Sequence, residues 1–113
     1  MDIFQKKPRK FKIGKLIMTD AVVNAMEDQH FYAFVQASFI RYCVNDWGDL
    51  ERAGQKLNRR NLKHGGNLGG RYIDETTNQE IWILTTDSRD RTIVCMDYEG
   101  SKNPFVERPE EEE

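Results

Sequence analysis

Residues 71–98, RYIDETTNQEIWILTTDSRDRTIVCMDY, decide the fold. Three runs within them are rich in β-branched and aromatic residues: Arg71 to Glu75, Ile81 to Thr86 and Thr92 to Tyr98. Runs of this kind, bounded by polar turn residues, read as strands. The connecting segments, Thr76-Thr77-Asn78-Gln79 and Asp87-Ser88-Arg89-Asp90, are short, which predicts antiparallel hairpins. Ile81-Trp82-Ile83-Leu84 is apolar on both faces, so this run is expected at the centre of the sheet.

Working back toward the start, the pattern changes period. Phe31, Phe34, Val35, Phe39 and Tyr42 recur at three- and four-residue spacing, which predicts a helix over His30 to Val44 and places much of the core on it. Before it, Asp20 suits the N-cap of a short helix reaching Glu27. Phe11 to Thr19 reads as a further strand, with Gly14 marking a bulge or a close backbone approach. After the long helix, Gly48 suits a helix C′ position and Asp49 the N-cap of a third helix, about Leu50 to Lys63. That helix has a thin apolar seam of Leu50, Ala53 and Leu57. His64 to Gly70 is a glycine-rich loop.

The expected architecture is therefore α+β: a small three- to four-stranded, mainly antiparallel sheet with two or three helices packed on one face. Its expected extent is residues 10–100, with a flexible basic head at 1–9 and a disordered acidic tail at 101–113. A chain of 113 residues fits one domain of this size.

The formal net charge of -2 hides a strong segregation. Lys6, Lys7, Arg9, Lys10, Lys12 and Lys15 have no acid among them. Neither do Arg52, Lys56, Arg59, Arg60, Lys63 and Arg71, whereas Glu110 to Glu113 close the sequence. The first five cations of the second group fall on one side of a 3.6-residue helix. Like charges at i, i+4 repel mildly, so an unpaired row lowers helix stability unless an anionic surface faces it.

Several chemistries find no support. The loop at 65–70 lacks the Gly-Lys-Ser/Thr of a phosphate loop and follows a helix, so no nucleotide cofactor is expected. His30, His64, Cys43 and Cys95 show no metal-ligand spacing, so no metal is expected. Both cysteines sit in apolar runs and read as buried thiols. The spacing of Asp46 and Asp49 fits capping better than acid–base work. No stretch is long and apolar enough to span a bilayer, and the basic start lacks an apolar core of a signal peptide. The expectation is a cytoplasmic protein that is not an enzyme.

Gly14-Lys15-Leu16-Ile17-Met18-Thr19, Asp46-Trp47-Gly48-Asp49-Leu50, then Asn58, Leu62 and Gly65, and finally Ile81-Trp82-Ile83-Leu84-Thr85 with Arg89 and Thr92-Ile93-Val94, together carry a resemblance. The chain resembles a family of small proteins borne on bacterial plasmids and phages, labelled plasmid-related or hypothetical. It departs from the family at Thr86, where an acid is usual, and near Asp97, where a Pro is usual. The resemblance implies carriage on a mobile element and no defined activity. It directs the functional expectation to a non-catalytic inhibitor of a host defence nuclease, of the anti-CRISPR type, acting by surface occlusion. The expected partner is a host protein or nucleoprotein complex, such as a CRISPR effector nuclease. Nucleic acid bound through helix 52–63 is the alternative, and a small enzyme the third reading. The residues expected to touch the partner are Asp46, Trp47, Asp49, Arg52, Lys56, Arg59, Arg60, Lys63, Arg71 and Arg89. Trp47 has two readings, a plug between helices or an exposed contact of the kind enriched at binding hot spots.

Overall fold

The computed structural model describes residues 11–102. Strand β1 (Lys15–Met18) leads through helix α1 (Asp20–Ala25) to α2 (Gln29–Cys43) and α3 (Arg52–His64). Strands β2 (Leu68–Ile73), β3 (Glu80–Thr85) and β4 (Arg91–Met96) follow, and a 3-10 helix, Asp97–Lys102, closes the described chain. Residues 1–9, and 103–113 of the expected tail, lie outside the described residues. The 3-10 helix runs two residues past the expected boundary at 100.

The four strands form one sheet in the order β1-β4-β3-β2. β2–β3 and β3–β4 are the two expected hairpins, with Ile83 paired to Gly70 on one side and to Val94 on the other. β1 joins β4 in parallel, so the sheet is mixed. A parallel neighbour requires a long crossover, and here the whole middle of the chain supplies it. Only Lys15–Met18 of the expected longer strand pairs, because Gly14 adopts a φ of 66° beside the β3–β4 turn. A Cβ there would stand 2.2 Å from the Asp90 carbonyl carbon, which is the close approach expected of this glycine.

One face of the sheet carries the core. Leu68, Tyr72, Ile81, Ile83, Val94 and Met96 point to it and meet Val22 of α1 and Phe31, Val35 and Tyr42 of α2. A buried hydroxyl chain crosses this core, with Tyr42 Oη and Thr92 Oγ1 each 2.7 Å from Thr85 Oγ1. Thr92 donates onward to the Ile13 carbonyl at 2.7 Å. Each of these buried hydroxyls thus has a partner, as burial demands; among the described residues the buried side-chain oxygen of Asn45 has none.

The helix ends differ from expectation in an informative way. Thr19, not Asp20, is the N-cap of α1, its hydroxyl accepting from the Val22 N–H. Asn45, not Gly48, takes the left-handed position after α2, at φ 68°. The Asp46 and Asn45 N–H groups donate to the Arg41 and Tyr42 carbonyls, completing a Schellman motif. Glu51, not Asp49, stands at the N-cap of α3, and without a side-chain bond. Gly48 and Asp49 are therefore released for another task.

Candidate functional site

β2 is an edge strand, and its outer backbone groups need partners. Residues 47–49 run alongside it. The Arg71 N–H donates to the Trp47 carbonyl at 3.1 Å and the Asp49 N–H to the Arg71 carbonyl at 2.6 Å. The Asp49 carboxylate accepts the Ile73 N–H at 2.9 Å. Further along the same edge, the Asn58 amide accepts from the Gly69 N–H at 3.1 Å and donates to the Gly69 carbonyl at 2.7 Å. The edge is closed by a short backbone clasp and one side chain of α3.

This geometry accounts for Asp46-Trp47-Gly48-Asp49 residue by residue. The Asp46 carboxylate accepts from Arg41 Nε at 2.8 Å and from the Gly48 N–H at 3.1 Å, and the Arg41 guanidinium holds its pKa below the usual carboxylate range. The Asp46 carbonyl accepts the Tyr72 hydroxyl at 2.7 Å. Trp47 is 5% exposed, and its ring meets Tyr42 edge-on at 5.4 Å and lies 6.0 Å from Phe11. An interior ring offers a partner no contact area, so the plug reading is the one that fits. Gly48, at φ 70°, lets the clasp approach so closely that a Cβ would stand 2.2 Å from the Arg71 carbonyl oxygen.

α3 is attached to the sheet by the side that bears Gly54, Asn58 and Leu62, with Asn58 4% exposed. Of the expected apolar seam only Leu50 packs against the core: Ala53 is exposed and Leu57 is 52% exposed. Docking combines Leu62 with the polar anchor Asn58, and that turns the helix. It therefore lies along the β2 edge, whereas α1 and α2 cover the core face. Arg52, Lys56, Arg59, Arg60 and Lys63 are all exposed. At 3.6 residues per turn they occupy an arc of about 100° and a length of about 16 Å on the solvent side. None of the five forms an ion pair with a described residue. His64 and Leu57, which sequence reasoning had not placed on this face, border it; their exposure follows only once Asn58 is known to be the anchor.

The remaining two expected contact residues lie elsewhere in the packing. Arg71 pairs with Glu80, Nε to Oε2 at 2.7 Å, and its guanidinium lies 6.0 Å from the Trp82 ring centroid. Together with Leu50, Glu51 and Gly54 these residues line a hollow of about 330 Å³ at the first turn of α3. Arg89, at φ 62°, donates to the carbonyls of Gly66, at 2.7 Å, Thr86, at 2.8 Å, and Asn61, at 3.2 Å. It ties the β3–β4 turn to the end of α3 and spends its donors on backbone.

An apolar groove of about 460 Å³ opens between β1 and α2, with Leu16, Met18, Tyr32, Phe39 and Ile40 in its walls. Among the described residues, no three His, Cys, Asp or Glu side chains converge on a point where a metal could sit. No described helix is long and apolar enough to cross a membrane. Cys43 and Cys95 are buried, and burial pushes the Cys95 thiol up to about 11. No family model, characterised protein or solved structure matches the chain.

Proposed function

We propose that this chain is a non-catalytic binding protein whose contact face is the solvent side of α3. It acts by covering an anionic surface on a larger partner. The observation that carries this reading is the row of five exposed cations without an ion pair to any described residue, on a helix whose opposite side is fixed to the sheet. Such a row costs stability in the free protein, and an anionic surface opposite it repays that cost. A non-catalytic role is supported by the use of the Asp46 and Asp49 carboxylates in the clasp and by the burial of both thiols.

The motifs that resemble plasmid- and phage-borne proteins direct the choice of partner toward a host defence nuclease, such as a CRISPR effector. The carboxylate-lined metal sites of nucleases present the negative charge that the α3 face would cover. The alternative is direct binding of nucleic acid, which the length of the cation row favours: about 16 Å meets several successive phosphates of a duplex strand.

The double substitution Arg59→Gln/Arg60→Gln separates the two. Under the leading reading, association with purified effector slows about tenfold or more, since exposed charges mainly steer encounter. Binding of free duplex DNA stays weak at physiological salt. Tight, salt-sensitive duplex binding by the isolated protein, with a log–log slope that becomes shallower by about two in the variant, overturns it in favour of nucleic acid.

A further inference from the structure

We propose that the glutamate-rich segment 107–113 is an intramolecular competitor for the cationic face of α3; this rests on the reading of that face as the contact surface. Residues 103–113 hold five glutamates against one arginine, a net charge of -4. The α3 face carries five cations. The two charges are opposite and nearly equal.

The anchoring of the 3-10 helix brings the segment within reach. The Glu99 carboxylate accepts from the Met96 N–H at 2.7 Å and from the Thr19 hydroxyl at 2.9 Å, which fixes this helix at the end of β4. Met96 pairs with Ile81, one residue from Glu80. Glu80 in turn lines the hollow at the first turn of α3, with Glu51 and Gly54. Lys102 and the start of the cation row thus belong to the same end of the sheet. From β4 across β3 and β2 to α3 is about 20 Å, two strand spacings plus one helix-packing distance. Eight residues from Lys102 to Glu110 span up to about 26 Å extended. Glu110 to Glu113 therefore reach the face without strain, and as part of the same chain they act at an effective concentration on the order of millimolar.

The test uses the full chain with Glu110 to Glu113 all changed to Gln. Amide spectra of wild type and variant are compared without any ligand, at low salt and at 1 M salt. The expected result is shifts in the amides of α3, between Arg52 and His64, at low salt. They vanish at 1 M salt, where the screening length falls to about 3 Å. A short duplex DNA serves as a polyanion probe and should bind the variant about three- to tenfold more tightly, the combined effect of four screened surface pairs. Spectra that differ only within residues 103–113 overturn the proposal, whatever the partner assay gives. Shifts in α3 combined with undisturbed partner binding by the Arg59→Gln/Arg60→Gln variant sustain the intramolecular contact and overturn the functional reading instead.

Discussion

Gly48→Ala is the sharpest probe of the clasp. Two costs arise at this position and they are separable. The first is conformational: a φ of 70° in a residue with a Cβ costs about 1–2 kcal/mol. The second is contact. The new methyl would stand 2.2 Å from the Arg71 carbonyl oxygen and 2.5 Å from the Tyr72 ring. The carbonyl belongs to the sheet and cannot give way, so residues 47–49 must lift from β2. Lifting stretches the two backbone hydrogen bonds to Arg71 and the Asp49 bond to Ile73, each contributing about 1 kcal/mol net. The expected loss is about 3–5 kcal/mol, a large share of the stability of a small domain. Gly65→Ala is the control. Gly65 has a φ of 93° but nothing lies within 4 Å of its added Cβ, so only backbone strain of about 1–3 kcal/mol applies. Urea unfolding of both variants measures the difference. Equal losses, or a Gly48→Ala loss under about 1 kcal/mol, would refute the argument that the clasp is held by close backbone approach.

Three further outcomes follow from the same geometry. Trp47→Ala empties an interior site and should cost about 3–5 kcal/mol in a denaturant melt; a loss within about 0.5 kcal/mol means the ring is not part of the core. Asn58→Ala removes both bonds to Gly69 and should cost about 2–3 kcal/mol, with faster hydrogen exchange at the Gly69 amide; unchanged exchange there would show that water replaces the side chain. The Asp46 carboxyl is held low by Arg41, so its contribution is complete above the unfolded value near 3.9 and is lost as pH falls through the lower folded value. Asp46→Asn should therefore flatten the acid limb of the stability–pH curve below about pH 4, and an unaltered limb assigns that limb to other groups.

Much of the fold was legible because side-chain period encodes it. Alternation and β-branched residues marked β3 and β4 within one or two residues of their ends, and the aromatic recurrence marked α2. β2 starts at Leu68, three residues earlier than expected and inside the stretch read as a glycine-rich loop, because Gly69 and Gly70 carry no strand signal of their own. The direction of β1 was not legible, since no side-chain pattern distinguishes a parallel from an antiparallel edge strand. The clasp was invisible for a related reason. Capping a helix and capping a strand edge both call for Asp and Gly, and only the tertiary position of Arg71 and Ile73 decides between them.

The candidate site divides the same way. The cation arc on α3 depends only on spacing along one helix, so it could be read directly. Arg71 and Arg89 depend on neighbours that are distant in the chain. Arg71 meets Glu80 across the β2–β3 pair, and Arg89 meets carbonyls 23 and 28 residues upstream. The seam of α3 was misassigned in part because Ala53 and Leu57 were expected to face the sheet, and the residue that does so, beside Leu50 and Leu62, is Asn58. That polar choice has a physical logic. A strand edge presents N–H and C=O groups, which an amide satisfies and a leucine cannot. With the edge closed by Asn58 and the clasp, and the end of α3 held by Arg89, Leu50 and Leu62 complete the attachment of the helix without a wide apolar stripe. Its outer face is then free to carry five like charges at a cost the anchors offset, and so the contact surface and the strand-edge closure are two sides of one helix.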